Sequence, residues 1–449
     1  MLGARGKTNC DDALSGRAQL PDLETRVTRK LQTRILPFVM LLYFVSFLDR
    51  LNVGFAAFSM NKAIGLTPQM FGLGSGLFFI GYVTVQVPSN LLLLRIGARK
   101  WIARVVIVWG VVSFASAFVV GPYSFCTMRF LLGVAESGFF PGIIFYLSLW
   151  FPARQRAIAI AAFMAAAPLS SAIGSPISGA LMELPRIAGF ANWQWLYMIE
   201  SLPAILLGFL TLKVLIDKPE QATWLAEDER NWLQQTLAAE HAGHHSGESS
   251  IAATWAVLRD PRVLALSLVY LGTSAGLYSV GFWSPLLIKQ YGHSPLIVGW
   301  LNALPNVVAV VGMVLWARHS DATLERIWHV AIPCFIGGVG LIWAGYAQAT
   351  TAVVLALVAA NFGVNGTKGP IWAVPSQFLS GARAAAGIGM INAIGNLGGF
   401  VGPYLIGWIK GHWGSYAGGL NAVGALTALS GVVMLAIRHG LRPSRHATP

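Results

Sequence analysis

Apolar residues recur along this chain in runs of about twenty, separated by short stretches of glycine, proline and basic residues. Twelve such runs cover approximately 35–58, 72–94, 102–120, 125–149, 157–180, 192–213, 262–287, 295–316, 327–347, 351–376, 384–408 and 414–437. A helix rises 1.5 Å per residue, so about 20 apolar residues span the 30 Å hydrocarbon layer of a bilayer. The pattern predicts an all-α membrane protein with twelve transmembrane helices. The one long polar interval, 214–261, divides the runs into two groups of six. The expected organisation is an N-terminal segment 1–34, a bundle over 35–213, a central loop over 214–261, a second bundle over 262–437 and a tail over 438–449. Within the loop, DKPEQATWLAEDERNWLQQTL predicts an acid-rich amphipathic helix at the membrane surface.

Composition agrees with this pattern. Hydrophobic residues make up 55% of the 449 and charged residues only 11%, less than half the usual share in a soluble protein. Mean hydropathy is +0.62. The formal charge of +13 does not point to nucleic acid, because the basic residues lie in short loops between apolar runs. Arg95, Arg99, Lys100, Arg154, Arg156, Lys213, Lys218, Arg318, Arg326 and Arg383 fall on one side of the predicted membrane. Both termini and the central loop are therefore expected in the cytoplasm. Residues 1–30 lack the apolar core of a cleaved signal peptide. Cys10, Cys126 and Cys334 show neither disulfide nor metal spacing, and His241, His244 and His245 lie in Gly/Ser-rich sequence that reads as linker. No metal or cofactor is expected.

An internal repeat supports the division into halves. Residues 151–180 (FPARQRAIAIAAFMAAAPLSSAIGSPISGA) and 378–407 (FLSGARAAAGIGMINAIGNLGGFVGPYLIG) align without a gap at a shift of 227, placing Arg156 on Arg383, Ala157 on Ala384 and Pro176 on Pro403. Parallel repeats about an axis along the membrane normal are a transporter design. Both segments are rich in small residues, which let helices approach closely and make them candidates for the surface on which the halves rock.

Four charges stand inside the apolar runs of the first half: Asp49 and Arg50 in LDRLNVG, and Arg129 and Glu136 in RFLLGVAESGFF. Each costs at least about 2.5 kcal/mol if it faces hydrocarbon, so each is expected to face a wet cavity or a partner. Arg129 and Glu136, seven residues apart, share a helix face, and Asp49 adjoins Arg50; these are the pairings expected. An arginine fork matches a carboxylate, and a nearby acid can take or release a proton. Arg50 and Arg129 are thus candidate anion ligands, and Asp49 and Glu136 candidate proton carriers. Tyr82 and Gln86, four apart, are candidates for the same cavity. At a shift of 227 none of the four charges meets a charged counterpart. The second half supplies different groups: Lys368 and Trp372 in NGTKGPIW, and Asn392 and Asn396 in the eleventh run. Lys368 is assigned to a second acidic or polar group of the substrate, with neutralisation of Glu200 or bonding to a broken backbone as the alternative.

LDRLNVG, RFLLGVAESGFFPGIIFYLSLWFP, INAIGNLGGFVGPY and the central DKPEQATWL resemble the major facilitator superfamily, in particular its anion:cation symporter family of phthalate, tartrate, aldonate and vesicular glutamate type. The resemblance covers roughly residues 30–440. It implies a major facilitator fold with two pseudo-symmetric six-helix bundles and alternating access. It also implies transport of a small organic anion driven by a proton or sodium gradient; import by proton symport across a bacterial inner membrane is expected here, the chain acting as a monomer. Arg50 and Arg129 then match anion-site arginines, Asp49 and Glu136 proton-linked acids, and Tyr82, Trp372 and Asn392 positions around the substrate. The superfamily's loop motif between the second and third helices survives as NLLLLRIGARK, where Arg95 and Arg99 remain but Leu94 replaces the acid. Gating is expected to rely more on Asp321 in ARHSDATLER. Rival readings are sodium-coupled or passive transport, an anion channel, or a nutrient sensor of transporter ancestry. Nothing in the chain supplies the nucleophile–base set of an enzyme.

Overall fold

The computed structural model describes residues 23–243, 257–379 and 381–439. Cys10, His244 and His245 lie outside them, as do the first 22 residues and most of the C-terminal tail. The described residues are almost wholly helical, with one isolated bridge between Ile187 and Phe190. We number the helices α1 (Leu36–Leu51), α2 (Val53–Ala63), α3 (Pro68–Ile96), α4 (Ala98–Ala115), α5 (Pro122–Glu136), α6 (Phe139–Trp150), α7 (Ala153–Leu181) and α8 (Asn192–Val214). After the central α9 (Glu227–Gly243) come α10 (Pro261–Lys289), α11 (Pro295–Thr323), α12 (Ile327–Tyr346), α13 (Thr350–Gly366), α14 (Lys368–Ala373), α15 (Gly381–Asn396), α16 (Gly398–Trp413) and α17 (Tyr416–Ala436).

Eleven helical stretches among the described residues are long and apolar enough to cross a membrane. The remaining run, the eleventh of the sequence pattern, is α15 and α16, which Leu397 separates into two helices of 16 residues each. The break shortens each piece below a bilayer's width without altering the path. Further interruptions fall at Asn52, at Ser137–Gly138 and at Thr367. They place Arg50, Glu136 and Lys368 within two residues of a helix end, where side chains and backbone groups can serve a cavity rather than lipid.

Twelve crossings return the chain to the side where it began. That side, carrying the termini and α9, is called the terminal end; the loops 64–67, 119–121, 182–191, 290–294, 347–349 and 414–415 form the far end. At the terminal end the acid-rich stretch is helical only from Glu227 onward, as α9, with a short turn at Pro219–Gln221 before it, and it docks beneath the first half. Lys30 donates to Glu229 at 2.6 Å, the Ala153 N–H to Glu240 at 2.9 Å, and Trp224 stacks on Trp150 at 5.6 Å.

The halves meet at the far end through α7 against α11 and α3 against α16. Backbone approaches backbone there. A β-carbon on Gly72 would lie 2.5 Å from the Pro403 carbonyl, and one on Gly299 would lie 2.5 Å from that of Ser175, beside Pro176. Gly72 and Gly299, like Pro176 and Pro403, stand 227 residues apart, so the two contacts are copies of each other. The repeat extends further than the aligned segments showed. Gly65 and Gly292 both take positive φ (67° and 84°), Thr67 and Ser294 both cap the next helix with a side-chain oxygen, and Pro68 and Pro295 both open it. Gly–x–Ser/Thr–Pro is what a turn into a capped helix requires.

Candidate functional site

At mid-depth the first half gathers its charges, with partners that differ from those expected. Asp49, Arg50, Arg129 and Glu136 are all buried, none more than 7% exposed. The carboxylate of Glu136, at the end of α5, forms its ion pair with Arg50 of α1 rather than with Arg129 on its own helix. It also accepts from the Ser46 hydroxyl at 2.5 Å. Asp49 points the other way, accepting from Trp109 Nε1 and Ser113 Oγ of α4, both at 3.0 Å. The expected pairing failed because adjacent residues diverge by about 100° around a helix, so Asp49 and Arg50 face different neighbours. Seven residues along α5, meanwhile, put Arg129 about 10 Å from Glu136.

Arg129 is left without a carboxylate. Its exposure is 1%, and Nε, Nη1 and Nη2 all lack a hydrogen-bond partner among the described residues. The guanidinium is held by aromatic faces instead, 5.3 Å from Phe78 and 5.7 Å from Phe282, the latter from the second half. Arg50 is similarly framed by Phe47, Phe78 and Tyr82 at 4.9, 5.0 and 5.8 Å. Ring faces attract a cation but accept no strong hydrogen bond. Five N–H donors of Arg129 therefore remain unused, a costly state for a buried charge.

The second half touches this cluster through Tyr278 of α10, whose hydroxyl accepts from Arg50 Nη1 at 3.2 Å and whose ring packs 4.2 Å from Phe79. Tyr278 also borders a cavity of about 50 Å³ between the halves, room for a few water-sized groups at roughly 10–15 Å³ each. The lining is polar on the second-half side: Lys368, Asn361, Asn365, Asn302 and Asn306. Asn361 and Asn365 spend an amide N–H on their own helix. Asn302 joins the halves, accepting from Ser284 at 2.5 Å and donating to Ser175 at 2.9 Å. Lys368 is only partly exposed, and its ammonium has no hydrogen-bond or ion-pair partner among the described residues.

Of the residues expected to bind substrate, Lys368 alone lines this cavity. Arg50 stands behind Tyr278, and Tyr82 behind Arg50. Gln86 is half-buried one turn further along α3. Trp372 packs edge-on against Tyr270 at 5.0 Å, toward the terminal end, and Asn396 donates to Asn392 at 3.2 Å with both half-buried. The alternative in which Lys368 neutralises Glu200 is not what the structure shows: Glu200 is buried in α8 and accepts from Ser178 at 2.7 Å. Sequence reasoning missed Tyr278, Asn302 and the donors Trp109, Ser113 and Ser46, because a phenol, an amide or a hydroxyl in a transmembrane helix is not anomalous enough to stand out.

At the terminal end, the acid missing at Leu94 is supplied from elsewhere in the chain. Asp217 accepts from the Arg99 backbone N–H at 2.9 Å and lies 3.5 Å from its Nε. Arg95 is exposed. Asp321 pairs with Arg326 of its own loop at 2.6 Å, so it does not bridge the halves here.

Residues 39–403 match the profile of the Major Facilitator Superfamily. The chain belongs to that superfamily. It is 57% identical to a "Putative tartrate transporter" of Agrobacterium vitis, over 93% of this chain and 95% of that protein. It is 36% identical to the "Quinolone resistance transporter" of Acinetobacter baumannii and to the "Inner membrane transport protein RhmT" of Escherichia coli, each over 92% of this chain and 95% of the relative. Among solved structures, the fold resembles an inward-facing, occupied bacterial homologue of the lysosomal transporter Spinster (TM-score 0.75, 16% identity, 93% of this chain and 99% of that one). It also resembles the inward-open xylose transporter XylE of E. coli (TM-score 0.71, 15% identity, 92% and 97%). The protein is thus a membrane transporter with the all-α, two-bundle fold of its superfamily, and not an enzyme.

Proposed function

We propose that this transporter imports a small hydroxylated dicarboxylate of the tartrate type by proton symport, alternating access between the two faces of a bacterial inner membrane. The basic loops orient the terminal end to the cytoplasm, so the joined far end faces outside. The observation that carries this reading is the pairing pattern of the two arginines: Arg129 has no acceptor among the described residues, while Arg50 is held by Glu136.

The pattern supplies a coupling device. A proton on Glu136 removes the charge that holds Arg50, freeing its guanidinium for a substrate carboxylate beside Arg129. Loss of that proton to the cytoplasm restores the carboxylate, which recaptures Arg50 and displaces the anion. Substrate and carboxylate compete for one fork, so anion and proton load together and leave together. Asp49, hydrogen-bonded on α4, is the second carboxyl that can exchange a proton. Lys368, facing the cavity from the other half, receives the second carboxylate, with the asparagines as partners for hydroxyls. A dianion held between the arginines and Lys368 touches both bundles. The 57% identity to a protein named for tartrate supports this class of substrate.

Isothermal titration of the purified protein tests the reading. Tartrate is expected to bind, and Lys368→Met to weaken diacids roughly ten- to a hundredfold, the loss of a charged hydrogen bond, while sparing monoacids. Equal loss for every acid, with the fold intact, would assign Lys368 to structure; no binding of any organic acid by the parent protein would overturn the function.

A further inference from the structure

A third buried carboxyl in the first half takes no part in the coupling device. Glu200, in the middle of α8, is 2% exposed. Its Oε1 accepts from Ser178 of α7 at 2.7 Å, and its Oε2 has no well-formed hydrogen bond among the described residues. Asn52, at the break between α1 and α2, lies alongside. It is 1% exposed, and neither its amide nitrogen nor its oxygen makes a well-formed hydrogen bond among the described residues, although the amide is near enough to the Glu200 carboxyl to bond it. The charged and titratable neighbours of Glu200 are Asp49, three residues before Asn52 on α1, and Tyr197 on its own helix, with Arg129 beyond Tyr197. α2, α4 and α7 add no titratable group to this set, and no cation is paired with Glu200 among the described residues.

A carboxylate in that position would be an unpaired buried anion, which proteins avoid by neutralising the group. A proton on Oε2 turns the orphaned oxygen into a donor, and Oδ1 of Asn52 is an acceptor lacking one. We propose that Glu200 is a proton site separate from the substrate-linked acids, loaded from outside as the far end closes, with Asn52 and Ser178 as its polar shell.

Closure is tied to the site through α7. Ser175 of this helix bonds Asn302 across the halves, Gly179 packs on the backbone of Pro295 and Gly299, and Ser178 between them holds Glu200. Ser178 and Asn52 both border the cavity between the halves. Opening the far end separates α7 from α11 and brings water to that wall, where Glu200 can release its proton as a carboxylate. Closing expels the water, and the carboxylate takes a proton from the outer solution to become the neutral acid. Acid outside therefore favours the closed far end whether or not substrate is bound. The inference uses the outside orientation proposed above but not the identity of the substrate.

The test uses spin labels at Tyr123→Cys and Gln348→Cys, exposed at the far end on opposite halves, with the native cysteines replaced by serine. Asp49→Asn and Glu136→Gln remove the other central carboxyls. In nanodiscs without substrate, the short-distance population is expected to grow as pH falls from about 9 to about 5, spanning the shifted carboxyls of buried sites. Adding Glu200→Gln should give the short distance at every pH. An unchanged pH profile in that variant overturns the proposal. So does a population that follows sodium at fixed pH, which would make the oxygens a sodium site. Should Glu200→Gln fail to fold, Asn52→Leu decides the matter. Loss of the acceptor is expected to demand about tenfold more protons for closure, a shift of one pH unit, and an unmoved midpoint counts against the site.

Discussion

In the proposed cycle Glu136 decides whether Arg50 is available. In the closed-far-end arrangement it holds the guanidinium, and Ser46 and Tyr278 complete the polar contacts around the pair. Glutamine at position 136 keeps the shape but cannot cycle a proton. Glu136→Gln is expected to retain substrate binding and exchange of preloaded substrate while losing accumulation against a gradient. Accumulation equal to that of the parent would remove Glu136 from the coupling path. Arg129→Lys keeps the charge but discards the planar fork, so a loss of affinity of about tenfold or more is expected by titration. Unchanged affinity would mean that the aromatic cage, not an anion, is what the guanidinium serves. The four charges were legible in the sequence because a charge in an apolar run has to be explained. Their partners were not legible, since pairing depends on helix rotation and on which helix lies opposite. Tyr278 left no trace at all: it stands in GLYSVGFW, where a phenol looks like one more aromatic.

The elements that close the molecule are short and repeated. Gly65, Thr67, Pro68 and Gly72 on one side, and Gly292, Ser294, Pro295 and Gly299 on the other, build matching turns and matching close contacts. Valine at Gly299 would drive its branched side chain into the Ser175 carbonyl. Gly299→Val is therefore expected to hold the far end open, abolishing import while outside-facing sites stay reachable to a membrane-impermeant thiol reagent on an introduced cysteine. Protection of that cysteine equal to the parent's would show that the contact tolerates bulk. Glu183 adds a polar latch to the same surface. The Ser294 hydroxyl and the Leu296 N–H of the other half, the latter at 3.1 Å, hold its carboxyl below the ordinary value of 4.5. A depressed value means that the latch is fully present above that ordinary value and is lost as pH falls through the lowered one. Only below the window used to test Glu200 should Glu183→Gln abolish a pH-dependent loosening of the far end; an identical loosening in that variant would discharge the residue. The sequence announced the helices and one copy of the repeat. The turn copies escaped notice because Gly–x–Thr–Pro and Gly–x–Ser–Pro are common helix entries, and their meaning comes only from the backbone across the interface. The eleventh crossing was legible as a span but not as two helices, because nothing in GNLGG tells a flexible join from a packed one.

At the scale of the whole molecule, chemistry is divided unequally between two halves of similar shape. The first half holds the acid–arginine cluster; the second contributes Tyr278, Lys368 and a group of asparagines to the space between them. In the proposed cycle a substrate that bridges the halves draws them together, while a proton on Glu136 governs whether the first half can hold it. This division was readable in advance, since none of the four charges has a charged counterpart at the repeat shift. The acid at Asp217 that serves Arg99 was not, because it comes from beyond the sixth crossing rather than from the motif's own loop. Proton-linked release at Glu136 is tested most directly in proteoliposomes enclosing a pH-sensitive dye, with membrane potential clamped and sodium absent. An inward tartrate gradient is expected to acidify the lumen in the parent protein, and to move tartrate by exchange without acidification in Glu136→Gln. Net tartrate entry with no proton movement in the parent, or the same acidification in Glu136→Gln, would contradict it.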